Sequence, residues 1–233
     1  SANGFNDTGT FDSTTYYTFE HDAVGTYGLT VSENYTIFDG IQFLHDTTTA
    51  SRRLLLMNNL YLTVKNCYFN KASGSTGTSA YGINASGVET VVTNCSFTGF
   101  NDTGDRALYV NNDSLVYNCT FYDANEAIVL AAGVSGVKVV KVRNCVIMNC
   151  ATDLVDVSTS ANVTFDYNAT DDPATGFLDP RGTNGQDLND STTLWDEAVR
   201  ARASGDFRID SEDSLLYNLG VGNGADANVP LLD

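Results

Sequence analysis

Short apolar runs alternate with polar positions along this chain, and one phrase keeps returning. Thr63-Val64-Lys65-Asn66-Cys67-Tyr68-Phe69, Val91-Val92-Thr93-Asn94-Cys95-Ser96-Phe97, Ser114-Leu115-Val116-Tyr117-Asn118-Cys119-Thr120-Phe121 and Lys141-Val142-Arg143-Asn144-Cys145-Val146-Ile147 each put a valine two residues before Asn-Cys. Degenerate copies stand at Thr36-Ile37-Phe38-Asp39-Gly40-Ile41-Gln42-Phe43 and Val163-Thr164-Phe165-Asp166-Tyr167. Their Asn or Asp positions, 39, 66, 94, 118, 144 and 166, are separated by 27, 28, 24, 26 and 22 residues. A period in this range marks a stacked array, in which one repeat cannot bury its own apolar face.

Each repeat predicts two short strands. One precedes Asn-Cys, with Val64, Val92, Val116 and Val142 turned inward. The other is a brief β-rich run: Leu54-Leu55-Leu56, Tyr81-Gly82-Ile83, Ala107-Leu108-Tyr109-Val110, Ala127-Ile128-Val129-Leu130 and Asp153-Leu154-Val155-Asp156-Val157. Turn-rich links such as Asn101-Asp102-Thr103-Gly104-Asp105 join them. No helical period lies between the strands, which excludes βαβ crossovers. The pattern fits coils whose strands pair with their equivalents one repeat on. Residues 1–35 carry no clean copy and are expected to cap the first open edge; 36–170 are the repeat array. Residues 171–233 are expected to be a C-terminal cap, with a short helix between Ser191 and Ala203 and closing strands after it.

The recurring pair has a physical reading. Asn66, Asn94, Asn118 and Asn144 fall where the chain must bend, a place where Asn tolerates the left-handed region and bonds local backbone. Stacked copies would then form an amide ladder. Cys67, Cys95, Cys119 and Cys145 would stack one per rung, at a spacing and with parallel Cβ vectors that make poor disulfides. They read as small buried fillers. Cys150 stands outside the column, and no CxxC or His-rich spacing points to zinc.

Charge sets limits on partners. With 29 acidic and 12 basic residues the net charge is -17, a field that repels nucleic acid. It fits either solubility or carboxylate clusters for a divalent cation such as Ca²⁺. No run of about 18 apolar residues predicts a membrane span. Ser1-Ala2-Asn3-Gly4 lacks a basic segment followed by an apolar one, so no signal peptide is expected in this form. Ten Asn-x-Ser/Thr matches occur, a number expected of a chain rich in those residues.

The Asn-Cys-x-Phe copies resemble the repeats of right-handed parallel β-helix proteins, the pectin-lyase-like superfamily. Gly205-Asp206-Phe207-Arg208-Ile209, followed by Ser214-Leu215-Leu216-Tyr217-Asn218-Leu219-Gly220, looks like the closing signature of many such proteins, though the second segment matches only in outline. The resemblance covers about residues 36 to 220. It implies an all-β fold, a single right-handed parallel β-helix of about six rungs and roughly 30 Å. It leaves function open, because the superfamily includes polysaccharide lyases and hydrolases, adhesins and bacteriophage virion parts.

Lyases of this fold use acidic Ca²⁺ ligands on one parallel face and an Arg or Lys that takes a proton beside a uronate carboxylate. Hydrolases of the fold share Asn-Thr-Asp, Asp-Asp, Gly-His-Gly and Arg-Ile-Lys segments. Of these only Asp171-Asp172 appears here, in an expected loop before Pro173, and Arg208-Ile209-Asp210 lacks the lysine. Arg106 beside Asp102 and Asp105 is the best lyase-like candidate, and a solvated ion pair is the competing reading. His21 and His45 read as surface or hydrogen-bonding residues. Tyr68, Tyr109, Tyr117 and Tyr122 are candidates for an exposed glycan-binding face, with aromatic stacking inside the rungs as the equally weighted alternative. The preferred expectation is a non-catalytic structural module, a virion component or an extracellular filament or adhesin subunit, with self-association or other surface proteins as partners. The alternative is an enzyme acting on an extended acidic glycan.

Overall fold

The computed structural model describes residues 18–21, 27–46, 53–58, 61–72, 75, 79–86, 89–160, 162–171, 179–182, 185–187, 199–201 and 206–209. Equivalent strands from successive coils lie side by side, all parallel, in three sheets. The first sheet has eight strands, running from Thr18–His21 through Tyr68–Lys71 and Ser96–Thr98 to Gln186–Asp187. The second has six, from Tyr27–Val31 through Tyr81–Ala85 and Arg106–Val110 to Thr152–Asp156. The third has six, from Thr36–Asp39 through Thr90–Thr93 and Ser114–Tyr117 to Asn162–Asp166. The chain visits the three in turn and then starts the next coil.

Three strands per coil replace the expected two, and one residue explains the difference. Between the third and first sheets the chain turns through a single left-handed asparagine, with φ of 53°, 53°, 54° and 54° at Asn66, Asn94, Asn118 and Asn144. No loop interrupts the sequence there, so Leu62 to Lys71 reads as one segment. The buried positions expose the break: Leu62 and Val64 precede it, Cys67, Phe69 and Lys71 follow it. The alternation of two slips by one residue at the asparagine.

The array also extends beyond its expected limits. Thr18–His21 pairs with Gln42–His45, and Tyr27–Val31 with Arg53–Met57, so residues expected in an N-terminal cap belong to the sheets. At the other end Gln186–Asp187 still pairs with Ala169–Thr170. The predicted helix is corrected over its described part: Val199–Ala201 is a strand, antiparallel to Asp206–Ile209. Residues 191–198, 1–17 and 210–233 lie outside the described residues.

Inside the coil, identical residues stack. Phe43, Phe69, Phe97 and Phe121 form a row with ring centroids 4.7, 4.8 and 4.9 Å apart and planes within 7° of parallel. That is the spacing of paired strands. Val64, Val92, Val116 and Val142 are fully buried, as are Leu55, Ile83, Leu108 and Ile128 on the opposing sheet. A Cβ at Gly82 would come within 2.6 Å of the Ala107 carbonyl oxygen and 3.0 Å of Phe97 Cδ1, so the phenylalanine row packs against a position that lacks a side chain. Cys67, Cys95, Cys119 and Cys145 are buried free thiols. Each donates to the carbonyl two residues back, at 3.1–3.3 Å. Burial pushes the thiols of Cys95, Cys119 and Cys145 well up, which keeps them protonated.

Along the bend, Asn118 Nδ2 donates to Asn94 Oδ1 and Asn94 Nδ2 to Asn66 Oδ1, both at 3.2 Å. Asn66 Nδ2 donates to Asp39 Oδ1 at 2.8 Å, and Lys65 pairs with the same carboxylate at 3.0 Å. Burial works to raise the Asp39 pKa, but the Asn66 hydrogen bond and Lys65 outweigh it, and the net shift is down from the ordinary 3.8.

Replacing Asn94 by glycine keeps the left-handed bend and loses both ladder bonds, at about 1 kcal/mol each. Alanine loses the same bonds and adds roughly 1–2 kcal/mol of left-handed strain. Urea unfolding should therefore rank wild type above Asn94→Gly above Asn94→Ala; equal losses would mean the bend imposes no conformational demand. Asp39 yields a pH signature. Its depressed folded pKa gives a stabilisation that is complete above the unfolded value and is lost as pH falls through the folded one. The small stability gap between wild type and Asp39→Asn should be present at neutral pH and close in acid.

Candidate functional site

Two charged clusters flank the second sheet, one on its outer face and one in the corner where the first sheet ends. Arg106 opens its strand and lies in register between Tyr81 and Glu126. Its Nε donates to Glu126 Oε2 at 2.6 Å and its Nη1 to the Tyr81 hydroxyl. The guanidinium carbon is 5.3 Å from the Tyr81 ring centroid and 5.7 Å from that of Tyr109. The guanidinium carbon of Arg53, one rung before Tyr81, also lies 5.3 Å from the Tyr81 ring centroid. Burial of the Arg106 guanidinium works against its charge, and Glu126 and Tyr81 outweigh it, so it is held more firmly protonated than usual. A guanidinium so paired is a poor proton acceptor.

Asp102 and Asp105, expected beside Arg106, belong to a different cation. The alternation that buries Phe69 also turns Lys71 inward, and only 1% of its side chain is exposed. Its Nζ lies 2.6 Å from Asp102 Oδ2 and 2.6 Å from Asp105 Oδ2. Asp105 is fully buried. Its Oδ1 accepts the Ala80 N–H at 2.7 Å, and its Oδ2 accepts the Asp102 N–H at 3.2 Å. Burial drives the Asp105 carboxyl up, against the opposing pull of Lys71 and the Ala80 amide, and the net shift is upward. The turn carrying both aspartates follows Phe100, which is itself fully buried. The expected trio is thus split between the two sides of one strand end. Sequence reasoning passed over Lys71, although its place two residues after an inward phenylalanine was the signal.

One rung before Lys71, His45 is also fully buried, so of the two expected settings, surface or hydrogen-bonding, it takes the second. Its Nδ1 lies 3.2 Å from Ser75 Oγ. His21 pairs with it through the backbone; nothing of the His21 side chain is described.

Of the four tyrosines weighed between an exposed face and the rung interior, none is fully exposed. Tyr68 is buried with its hydroxyl 3.1 Å from Thr98 Oγ1, Tyr117 is fully buried, and Tyr109 and Tyr122 are half-buried. The exposed aromatic pair lies elsewhere: Tyr35 and Tyr61, stacked at 4.8 Å beside the third sheet, with Tyr35 73% exposed. Farther along that sheet's outer face a groove of about 260 Å³ is lined by Glu89, Val91, Asp113, Leu115 and Val139. Asp113 holds Lys138 at 3.3 Å and the Val139 N–H at 2.6 Å. Among the described residues no three His, Cys, Asp or Glu side chains converge as a metal site would require, and no helix is long and apolar enough to cross a membrane. Of the possible acceptors of glycosylation, Asn84 and Asn168 are buried and Asn94 and Asn118 belong to the ladder.

Burial separates the two clusters energetically. Removing one partner of a buried pair strands the other, so Lys71→Ala is expected to cost about 3–5 kcal/mol. Arg106→Ala removes a partly solvated pair and should cost about 1 kcal/mol. Chemical denaturation of both variants checks this; equal costs would contradict the contrast.

The profile of a family described as "Right handed beta helix region" matches residues 55–186. No curated protein and no solved structure matches the chain significantly.

Proposed function

We propose that this chain, which belongs to the right-handed β-helix family, is a non-catalytic structural module displayed on a surface. The setting that fits best is a virion, as a capsid decoration or fibre protein, with an extracellular filament or adhesin subunit as its neighbour. One observation carries the reading. The groups best suited to lyase chemistry are engaged with one another: Arg106 with Glu126 and Tyr81, Asp102 and Asp105 with Lys71. A lyase needs those carboxylates and that cation to face a common substrate. The net charge of -17 adds to the argument, because a polyuronate laid along the surface would be repelled. Rigidity is what the stacked interior supplies in place of chemistry, and the backbone edge of an end rung is the kind of surface on which self-association or docking on other surface proteins builds.

The alternative, a polysaccharide lyase or hydrolase, draws on the Arg53–Tyr81–Arg106–Tyr109 face, where cations and rings line one parallel sheet. Electron microscopy of the protein in its native material tests the structural reading. Density for the chain repeating on a capsid, tail or filament is the expected result, and a free monomer in solution would overturn it. Incubation with uronate-containing glycans, with and without Ca²⁺, is expected to give no unsaturated product. Turnover that disappears in Arg106→Ala would instead establish the enzyme.

A further inference from the structure

The lysine corner has a chemistry that neither reading above uses. Lys71 Nζ sits 2.6 Å from an oxygen of a fully buried carboxyl, with a second carboxylate, Asp102, at the same distance from the same nitrogen. A nitrogen so close to a carboxyl oxygen is at most one C–O bond farther from the carboxyl carbon, within reach of the ~3–3.5 Å separation of reacting atoms. The other oxygen of Asp105 is gripped by the Ala80 amide at 2.7 Å, where charge would develop if that carbon were attacked. The group that could carry a proton between nitrogen and oxygen is in place too: the Asp102 side chain is 39% exposed and stays in contact with solvent.

We propose that Lys71 and Asp105 condense spontaneously in the folded protein to an isopeptide bond, with Asp102 as the proton carrier. The atoms balance without an oxidant, a reductant or a cofactor. Lys71 gives a proton to Asp102, which passes it to Oδ2 of Asp105, and the free amine attacks Cγ of the neutral acid; Oδ1 takes the electron pair and is held by the Ala80 N–H. A second proton then leaves the nitrogen and reaches Oδ2 through Asp102, the pair on Oδ1 re-forms the carbonyl, and the Cγ–Oδ2 bond breaks to release water. Ammonium and carboxylate become amide and water. In solution the balance favours hydrolysis, but here the alternative to the amide is a pair of desolvated charges. The upward push of burial on the Asp105 carboxyl acts in the same direction, because the electrophile is the neutral acid. Lys71 reaches this position because a solenoid turns alternate residues inward, and Asp105 because the turn after Phe100 folds back over the preceding rung.

The product would be a covalent tie between two successive coils, across 34 residues of sequence. Stacked repeats are held only by their neighbours and open from an end, rung by rung. A tie at this corner blocks that opening between the coils of Lys71 and Asp105, a property suited to a surface module under tension yet independent of that assignment.

Intact mass spectrometry of the full folded chain tests the proposal. The wild type should be lighter than its sequence by one water, and a digest should yield a branched peptide joining Lys71 to Asp105. Lys71→Arg keeps the ion pair and Asp105→Ala removes it; both should have the full mass of their own sequences. Asp102→Ala keeps both reacting groups and should slow formation by about a hundredfold or more. Circular dichroism establishes that each variant is folded, and the deciding measurement is on the wild type, which needs no substitution. Full sequence mass in folded wild type would overturn the proposal. So would a lost water that maps elsewhere, as to a cyclised Asp39-Gly40. Neither outcome depends on whether the protein is found on a particle.

Discussion

Parallel pairing at a rung spacing of about 4.8 Å puts every residue directly above its equivalent, and the remaining features follow from how each column copes with that. A neutral side chain tolerates its own copy. Phenylalanine stacks on phenylalanine, with centroids 4.7–4.9 Å apart, and a thiol fills the corner at each bend. Asparagine goes further, because an amide is both donor and acceptor and therefore pairs with itself along the column. A charge does not tolerate its copy. The charged columns are accordingly mixed: Lys65 lies beside Asp39, Arg106 between Tyr81 and Glu126, and Lys138 against Asp113. Repetition of the neutral positions and variation of the charged ones are two results of one constraint.

The same constraint decides what could be read from the chain alone. Asn66, Asn94, Asn118 and Asn144 repeat as letters, so the bend, its left-handed backbone and the inward valines were all legible in the sequence. The third strand of each coil was not, because a one-residue turn leaves no turn signal and hides the slip in alternation between Val64 and Cys67. The strands nearest the ends are hidden for a related reason. Thr18–His21 and Gln186–Asp187 lack the repeat phrase, yet a strand needs only backbone groups to pair with its neighbour.

Side-chain partners were the least legible feature. Sequence proximity joined Arg106 to Asp102 and Asp105, but in a solenoid the neighbour across the rung, 20 to 34 residues away, is as close as the neighbour along the chain. Arg106 emerges on the outer face while Asp105, one residue earlier, is fully buried in the corner. Adjacent residues are thereby sent to opposite sides of the sheet. The cation that the aspartates do meet lies a whole coil upstream, and a single sequence carries no register across that gap because coil lengths differ by several residues.

Distinct chemistry in such a molecule must then sit where a column breaks. The phenylalanine column runs through five rungs, from Phe19 to Phe121, and nothing can be asked of it except packing. The column beside it passes from His45 to Lys71 and then to Gly99, which has no side chain and a φ of 78°. A Cβ there would lie 2.6 Å from the Lys71 carbonyl oxygen. The chain turns away at that glycine, and the segment it leads into returns Asp102 and Asp105 to the lysine from the next coil. The break in periodicity and the buried charge pair are one event: the glycine that cannot continue the column is what allows two carboxylates to complete it.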